Sequence, residues 1–237
     1  MEKQFTLETK TGDIVTQFPK ASFIFKENKI DFCCGGNRPF GEALAEKGLD
    51  KEEILGTINE LYASVHALEP GKNKWAERNF GELVDHIIDR HHGYLYQVLP
   101  ELTGYVGKVY RVHGGNQPHL AIIYKMFNQL KEELLHHLEA EEKQLFPLVK
   151  QYEEDKAPET LQKLLATLEE LEEEHEHAGQ LLAAIREAAN DYNIPEGACN
   201  TYQLTYLKLE ELESDMFDHI HLENNILFPR LAEEQVS

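Results

Sequence analysis

A chain of 237 residues, 41% of them hydrophobic, can bury a full core and leaves room for a small appended domain. Its formal net charge of −20 disfavours nucleic acid or an anionic membrane as the main partner, since both demand clustered Lys and Arg. Three cysteines, an odd number, suit a reducing cytosol better than a secreted disulfide framework, and with no apolar signal core in MEKQFTLETK and no stretch near the ~18 apolar residues of a membrane span, a soluble cytoplasmic protein is expected.

In chain order, DIVTQFPKASFIFKEN, PFGEALAEKG and DKEEILGTINELYASV read as short helices, the last opened by Asp50 and Glu53 in capping-box spacing. Between the first two lies KIDFCCGGNRPF, Lys29 to Phe40, with Cys33 and Cys34 side by side. Adjacent Cα atoms stand about 3.8 Å apart, below the usual disulfide span, so these two could join only through a strained, readily reduced ring. A thiol pair that attacks or accepts, a soft-metal site and two buried small residues remain as readings. Gly35 and Gly36 permit backbone conformations closed to other residues, and Lys29 and Arg38 are the nearby cations. Pro70 and Gly71 in LEPGKNKW mark a linker over 69–78, between a small helical domain at 1–68 and a long-helix region at 79–237.

Four amphipathic stripes follow the linker. Val84, Ile88, His92, Leu95 and Leu99 form the first; Ile123, Phe127, Leu130, Leu134, His137, Glu141, Leu145 and Leu148 the second. The third runs through Leu161, Leu164, Leu168, Leu171, His175, Ala178, Leu182 and Ile185, and the last through Leu209, Leu212, Met216, His219, Glu223 and Leu227. Each stripe carries a histidine where a core residue belongs, so an all-α fold with a C-terminal four-helix bundle and a polar centre is predicted.

Two carboxylates facing one core would cost several kcal/mol each and repel; a bound cation removes both objections. In His137-x-x-x-Glu141 and His219-x-x-x-Glu223 the partners share one helix face, about 6 Å apart along the axis. Both pairs lie in a repeat, HLEAEEKQLFP against HIHLENNILFP, which implies pseudo-twofold symmetry about two metals. Pro147 and Pro229 are expected to end or bend each helix after the ligands. Imidazole and carboxylate without thiolate suit iron or manganese, with zinc open from ligand type. Any single histidine here reads as well as a satisfied core residue, but four of them on four helices with repeated glutamates favour metal. Two ferrous ions, or two ferric ions with an added oxo bridge, leave the pocket with the same net charge.

The motifs IDFCCGG, DHIIDRHHGYL, VYRVHGG, HLEAEEKQLFP, EEEHEHAG and DHIHLENNILFPR occur in this order. Their bundle part resembles a hemerythrin-like di-iron domain, and the whole chain, nearly end to end, resembles the Repair of Iron Centres family of the ScdA and YtfE type. The resemblance implies a cytosolic homodimer, linked to stress, that restores iron–sulfur clusters damaged by oxidants or nitric oxide. It implies two non-haem irons, oxo-bridged when oxidised, with His92, His137, His175 and His219 as terminal ligands and Glu141 and Glu223 as bridges. His92 is chosen over His91 because the family motif keeps the second histidine of HH; periodicity favours it weakly.

His113 matches a further family motif but lies about 30 Å beyond His92 on a straight helix. It becomes an additional ligand only if the helix breaks near Pro100, Gly104 or Gly107; otherwise it sits at the bundle end. His86, His136, His177 and His221 read as surface residues or neighbours of the ligands, and His66 and His119 have no assigned role. Cys199 fits the family pattern and equally reads as a buried small residue. Because the bundle holds its own metal ligands, Cys33 and Cys34 are read as a thiol site passing iron to damaged or apo iron–sulfur proteins, with an inert packed turn as the other reading. An iron donor is favoured over a turnover enzyme. An oxygen- or nitric-oxide-binding sensor and a di-iron nitric-oxide reductase or ferroxidase are the alternatives, and the CCGG motif argues against a simple gas carrier.

Overall fold

Asp50 accepts hydrogen bonds from the amides of Glu52 and Glu53, both at 3.0 Å, and so satisfies two of the donors that a helix start leaves open. Helix α4 (Lys51–Leu68) begins there. In the computed structural model, which describes residues 4–68 and 75–235, it follows α1 (Thr11–Gln17), α2 (Ala21–Glu27) and α3 (Phe40–Glu46). After it come α5 (Phe80–Ile87), a π turn π1 (Ile88–His92), α6 (Gly93–His113), α7 (His119–Ala140), π2 (Glu141–Leu145) and α8 (Phe146–Asp155). The chain finishes with α9 (Pro158–Ala188), α10 (Asn200–Leu222), π3 (Glu223–Leu227) and α11 (Phe228–Glu234). The described residues contain no strand beyond an isolated bridge between Lys10 and Pro39, so the fold is all-α as predicted. Most of the expected linker, residues 69–74, lies outside the described residues. No helix among the described residues is long and apolar enough to cross a membrane.

Two compact units form: Met1–Leu83 together with Phe217–Ser237, and Val84–Met216. The first thus joins the small N-terminal helices to the last stretch of the chain, which the stripe reading assigns to the bundle. Its core is aromatic, with Phe5, Phe25, Phe32 and Phe40 fully buried beside Ile14, Leu44 and Ile58. Each such side chain contributes on the order of 1.5–3 kcal/mol by leaving water. The rings of Phe25 and Phe32 meet edge-on at 5.8 Å, and Phe32 meets Phe217 the same way at 6.1 Å. The cysteine turn is therefore pinned by its own Phe32 to the C-terminal segment.

In the second unit α7 packs against α6 and α9, and α8 against α9. Within this unit α10 is joined, past its midpoint, to α9 by a bidentate pair, in which Arg186 Nε and an Nη donate to Glu213 at 2.9 and 2.5 Å. Pro100 sits inside α6 without breaking it, and the helix runs from Gly93 to His113.

The prolines after the ligand motifs do not end their helices. Pro147 and Pro229 stand in the first turn of α8 and α11, which continue the chain beyond π2 and π3. A proline there donates no i→i−4 bond and crowds the carbonyl four residues back, and a widened turn relieves both. Just ahead of each proline, the amide of Phe146 bonds Glu141 O and that of Phe228 bonds Glu223 O, five residues back. In π1 the amide of Gly93 bonds Ile88 O in the same way.

Candidate metal centre

His92 closes π1, and Glu141 opens π2 directly after α7. Both are fully buried. The Nδ1 of His92 lies 2.9 Å from Glu142 Oε1, and that of His137 lies 2.6 Å from Glu174 Oε2. With Nδ1–H donating to its carboxylate, each imidazole carries its lone pair on Nε2. The His137 bond holds the Glu174 carboxyl below its usual range, which keeps that acceptor charged.

Both Nε2 atoms then point at the same oxygen, Glu141 Oε2, each at 3.4 Å. Neither oxygen of the Glu141 carboxylate has a hydrogen-bond partner. Two imidazole nitrogens converging on a buried carboxylate that has no hydrogen-bond partner form an arrangement that a bound cation stabilises. His175 completes the group: its Nε2 is 2.9 Å from His137 Nε2, and His137, Glu141 and His175 each offer a ligand atom within 4.8 Å of the others. In the other unit His219 Nε2 lies 3.1 Å from Glu223 Oε1, with both side chains buried. The residues present fit a hard or borderline cation such as iron or manganese, for which imidazole and carboxylate are the suitable donors.

The chain matches the family described as Hemerythrin HHE cation binding domain over residues 83–231, and ScdA_N, described as a domain of unknown function (DUF542), over 7–62. It is 36% identical over 219 residues to the "Iron-sulfur cluster repair protein YtfE" of Shigella boydii serotype 4, covering 92% of this chain and 94% of the relative. The proteins of that name from Escherichia coli O139:H28 and Escherichia coli K12 / DH10B share the same identity and coverage. The chain belongs to the Repair of Iron Centres family.

Several other side chains of this Repair of Iron Centres chain make contacts of their own outside the proposed ligand set. His91, the neighbour passed over for His92, is buried and pairs through Nδ1 with Asp215 Oδ2 at 3.2 Å. His113 ends the unbroken α6, with its Nε2 3.5 Å from Cys199 Sγ and its ring edge-on to Tyr202 at 5.7 Å. The helix break that would bring it to the ligands does not occur, and among the described residues it joins neither ligand group. Cys199 is exposed, so the buried-residue reading of it fails. His119 Nε2 lies 3.0 Å from the Tyr202 hydroxyl. His136 and His177 line a cavity of about 560 Å³ between α7 and α9, together with Glu132, Glu133, Glu170 and Glu173, and this cavity reaches His137 and His175.

The thiol turn of the Repair of Iron Centres chain is organised by an acid that sequence reasoning passed over. Asp31 Oδ1 accepts from the Cys33 amide at 2.9 Å and from the Cys33 thiol at 3.3 Å, while Oδ2 accepts from the Gly35 amide at 2.9 Å. Gly35 and Gly36 do not adopt positive φ, which among the described glycines occurs at Gly48 and Gly197. Their missing side chains serve close approach instead. A Cβ on Gly35 would stand 2.9 Å from Asp31 Oδ2, and one on Gly36 2.1 Å from Asn225 Oδ1. The two sulfurs are 4.0 Å apart. Hydrogen bonding to Cys34, burial, and the charges of Cys34 and Asp31 together push the Cys33 thiol well above its usual range. Cys33 is 2% exposed and Cys34 half-buried. Because the thiolate is the nucleophile, iodoacetamide at neutral pH is expected to modify Cys34 well before Cys33, with Cys33 following only at alkaline pH. Peptide mapping checks the order, and equal rates at neutral pH would contradict it.

Proposed function

We propose that this protein repairs damaged iron–sulfur clusters by donating iron, held as a pair of ions by His92, His137, His175 and His219 with Glu141 and Glu223 between them. The observation that carries the reading is Glu141: a fully buried carboxylate with no hydrogen-bond partner, approached by two imidazole nitrogens at 3.4 Å. The cation-binding family match over 83–231 takes in all six proposed ligands, and the repair role is the one named for the YtfE relatives. Iron here is cargo. Glu142 and Glu174 keep the Nε2 lone pairs of His92 and His137 turned inward, and reduction to the ferrous state weakens the attraction of these donors for the ion. Cys33 and Cys34, which the ligand set does not need, are assigned the hand-over to a client protein. The protein acts in the cytoplasm as a homodimer under oxidative or nitrosative stress.

The test loads the protein with iron and follows iron appearing in an apo ferredoxin-type protein, alongside capture by a ferrous chelator. Release is expected to be fast after reduction and slow before it. Cys33→Ser with Cys34→Ser is expected to retain bound iron yet transfer it to the apo protein about tenfold more slowly, a barrier change of ~1.4 kcal/mol. Equal release in both redox states would defeat the donor reading and favour gas binding or nitric-oxide reduction.

A further inference from the structure

We propose that Asn225 is a positioning residue that ties the thiol turn to π3, so that loading a cation at Glu223 changes the reactivity of Cys33 and Cys34. This rests on the cation site proposed above and adds to it a link between the ligand and the thiols.

Asn225 lies within π3, two residues after Glu223. Its side-chain amide donates to both carbonyls that bracket the Cys33 residue, Phe32 O at 3.3 Å and Cys33 O at 2.9 Å. Its Oδ1 fills the places where side chains would stand on two glycines, 2.2 Å from a Cβ at Gly12 and 2.1 Å from one at Gly36. These glycines are themselves joined, since the Gly12 amide donates to Gly36 O at 2.8 Å. The second glycine of CCGG is thus a seat for Asn225.

Two residues before Glu223, His221 makes the matching contact. It is buried, its Nδ1 lies 3.2 Å from Phe32 O, and its ring meets Phe32 at 5.6 Å. Glu223 therefore sits on a backbone segment whose residues on either side both grip the thiol turn. A π turn is a widened, weakly held piece of helix, and its position is set by what its side chains hold. A cation that draws the Glu223 carboxylate into coordination fixes π3, and through Asn225 it fixes the Phe32 and Cys33 peptide groups. The dependence runs both ways in direction, so covalent modification of the thiols, which disturbs the same Asn225 contacts, alters cation affinity at Glu223.

The experiment uses the full chain with Cys199→Ser, metal-free and loaded with ferrous iron, and follows modification of Cys33 and Cys34 by a maleimide with intact mass spectrometry. Iron content is measured separately on each sample. Loading is expected to slow thiol modification at least ~5-fold, the lower end of typical site-to-site coupling. Asn225→Asp keeps the side-chain shape and removes both donated bonds. It is expected to bind iron at the parent stoichiometry and to show the same thiol rate loaded and metal-free. Gly36→Ala, which displaces the amide from the other side, is expected to lose the difference likewise. A parent protein that loads iron with no change in thiol rate would overturn the inference, as would Asn225→Asp and Gly36→Ala proteins that keep the difference. A parent protein that takes up no iron would instead overturn the cation site itself, and the inference with it.

Discussion

Replacing Glu141 by leucine is expected to raise the thermal midpoint of the metal-free protein and lower that of the loaded one. Without a cation, Glu141 is a fully buried carboxylate with no hydrogen-bond partner. Exchanging buried charge for a packed hydrophobic side chain of similar volume typically gains about 1–4 kcal/mol. At roughly 2–4 °C per kcal/mol for a chain of this size, the metal-free midpoint rises by several degrees. In the parent, a cation present at a thousandfold its dissociation constant adds about 4 kcal/mol, on the order of 10 °C, by binding the native state alone. The leucine variant forfeits that gain along with a ligand. Calorimetry with and without ferrous iron reads both shifts. A fall in the metal-free midpoint would mean that Glu141 has a stabilising partner and that its burial needs no cation.

Arg186→Met is expected to destabilise Val84–Met216 by about 3–5 kcal/mol, the usual consequence of leaving one member of a buried ion pair alone. The Glu213 side chain is 2% exposed and that of Arg186 22%, so water cannot replace the lost partner. Burial already pushes the Glu213 carboxyl up, with Arg186 opposing the rise. Pairing Arg186→Met with Glu213→Leu is expected to recover most of the loss, because no charge then remains to be compensated. Chemical denaturation of the two single variants and the double variant gives the coupling directly. A double variant as unstable as Arg186→Met would show that packing under the Arg186 stem, where the guanidinium lies 5.4 Å from the Tyr192 ring centre, dominates over charge.

The all-α fold was legible from helical periodicity, and the six proposed ligands stood out as polar residues where that periodicity demands apolar ones; the structure buries all six. That contrast is local, and each stripe carries it independently. The three π turns were not legible, and the misreading has a visible trace. The second stripe continues in steps of three and four to Leu148, but the structure buries Val149 instead and leaves Leu148 partly exposed. A π turn adds one residue, so Leu145 still falls on the α-helical count while positions beyond π2 are displaced from it by one. The prolines six residues after each glutamate were the available signal, read as points where each helix ends or bends because a proline's lost bond is usually harmful. The carboxylates holding His92 and His137 were similarly within reach. Glu142 adjoins Glu141 and Glu174 adjoins His175, but the doubled acids look like solvated helix surface in a chain with 43 Asp and Glu. Asp31 and Asn225 could not be found by periodicity at all, because Asp31 bonds the Cys33 and Gly35 groups within its own turn and Asn225 meets backbone groups and glycines far off in the chain.

The π turns also bear on how an ion reaches a buried site on a useful timescale. Global unfolding is far too costly to serve as a door, and a regular α-helix opens cooperatively over several turns. A five-residue widened segment flanked by intact α-helix confines the weak hydrogen bonds to one place, so a ligand can swing while the helices on either side stay folded. Glu141 and Glu223 are each the first residue of such a segment, and His92 is the last residue of another. At the proposed cation site, exchange is then expected to proceed by breathing of single turns, decoupled from the stability of the helices that carry them.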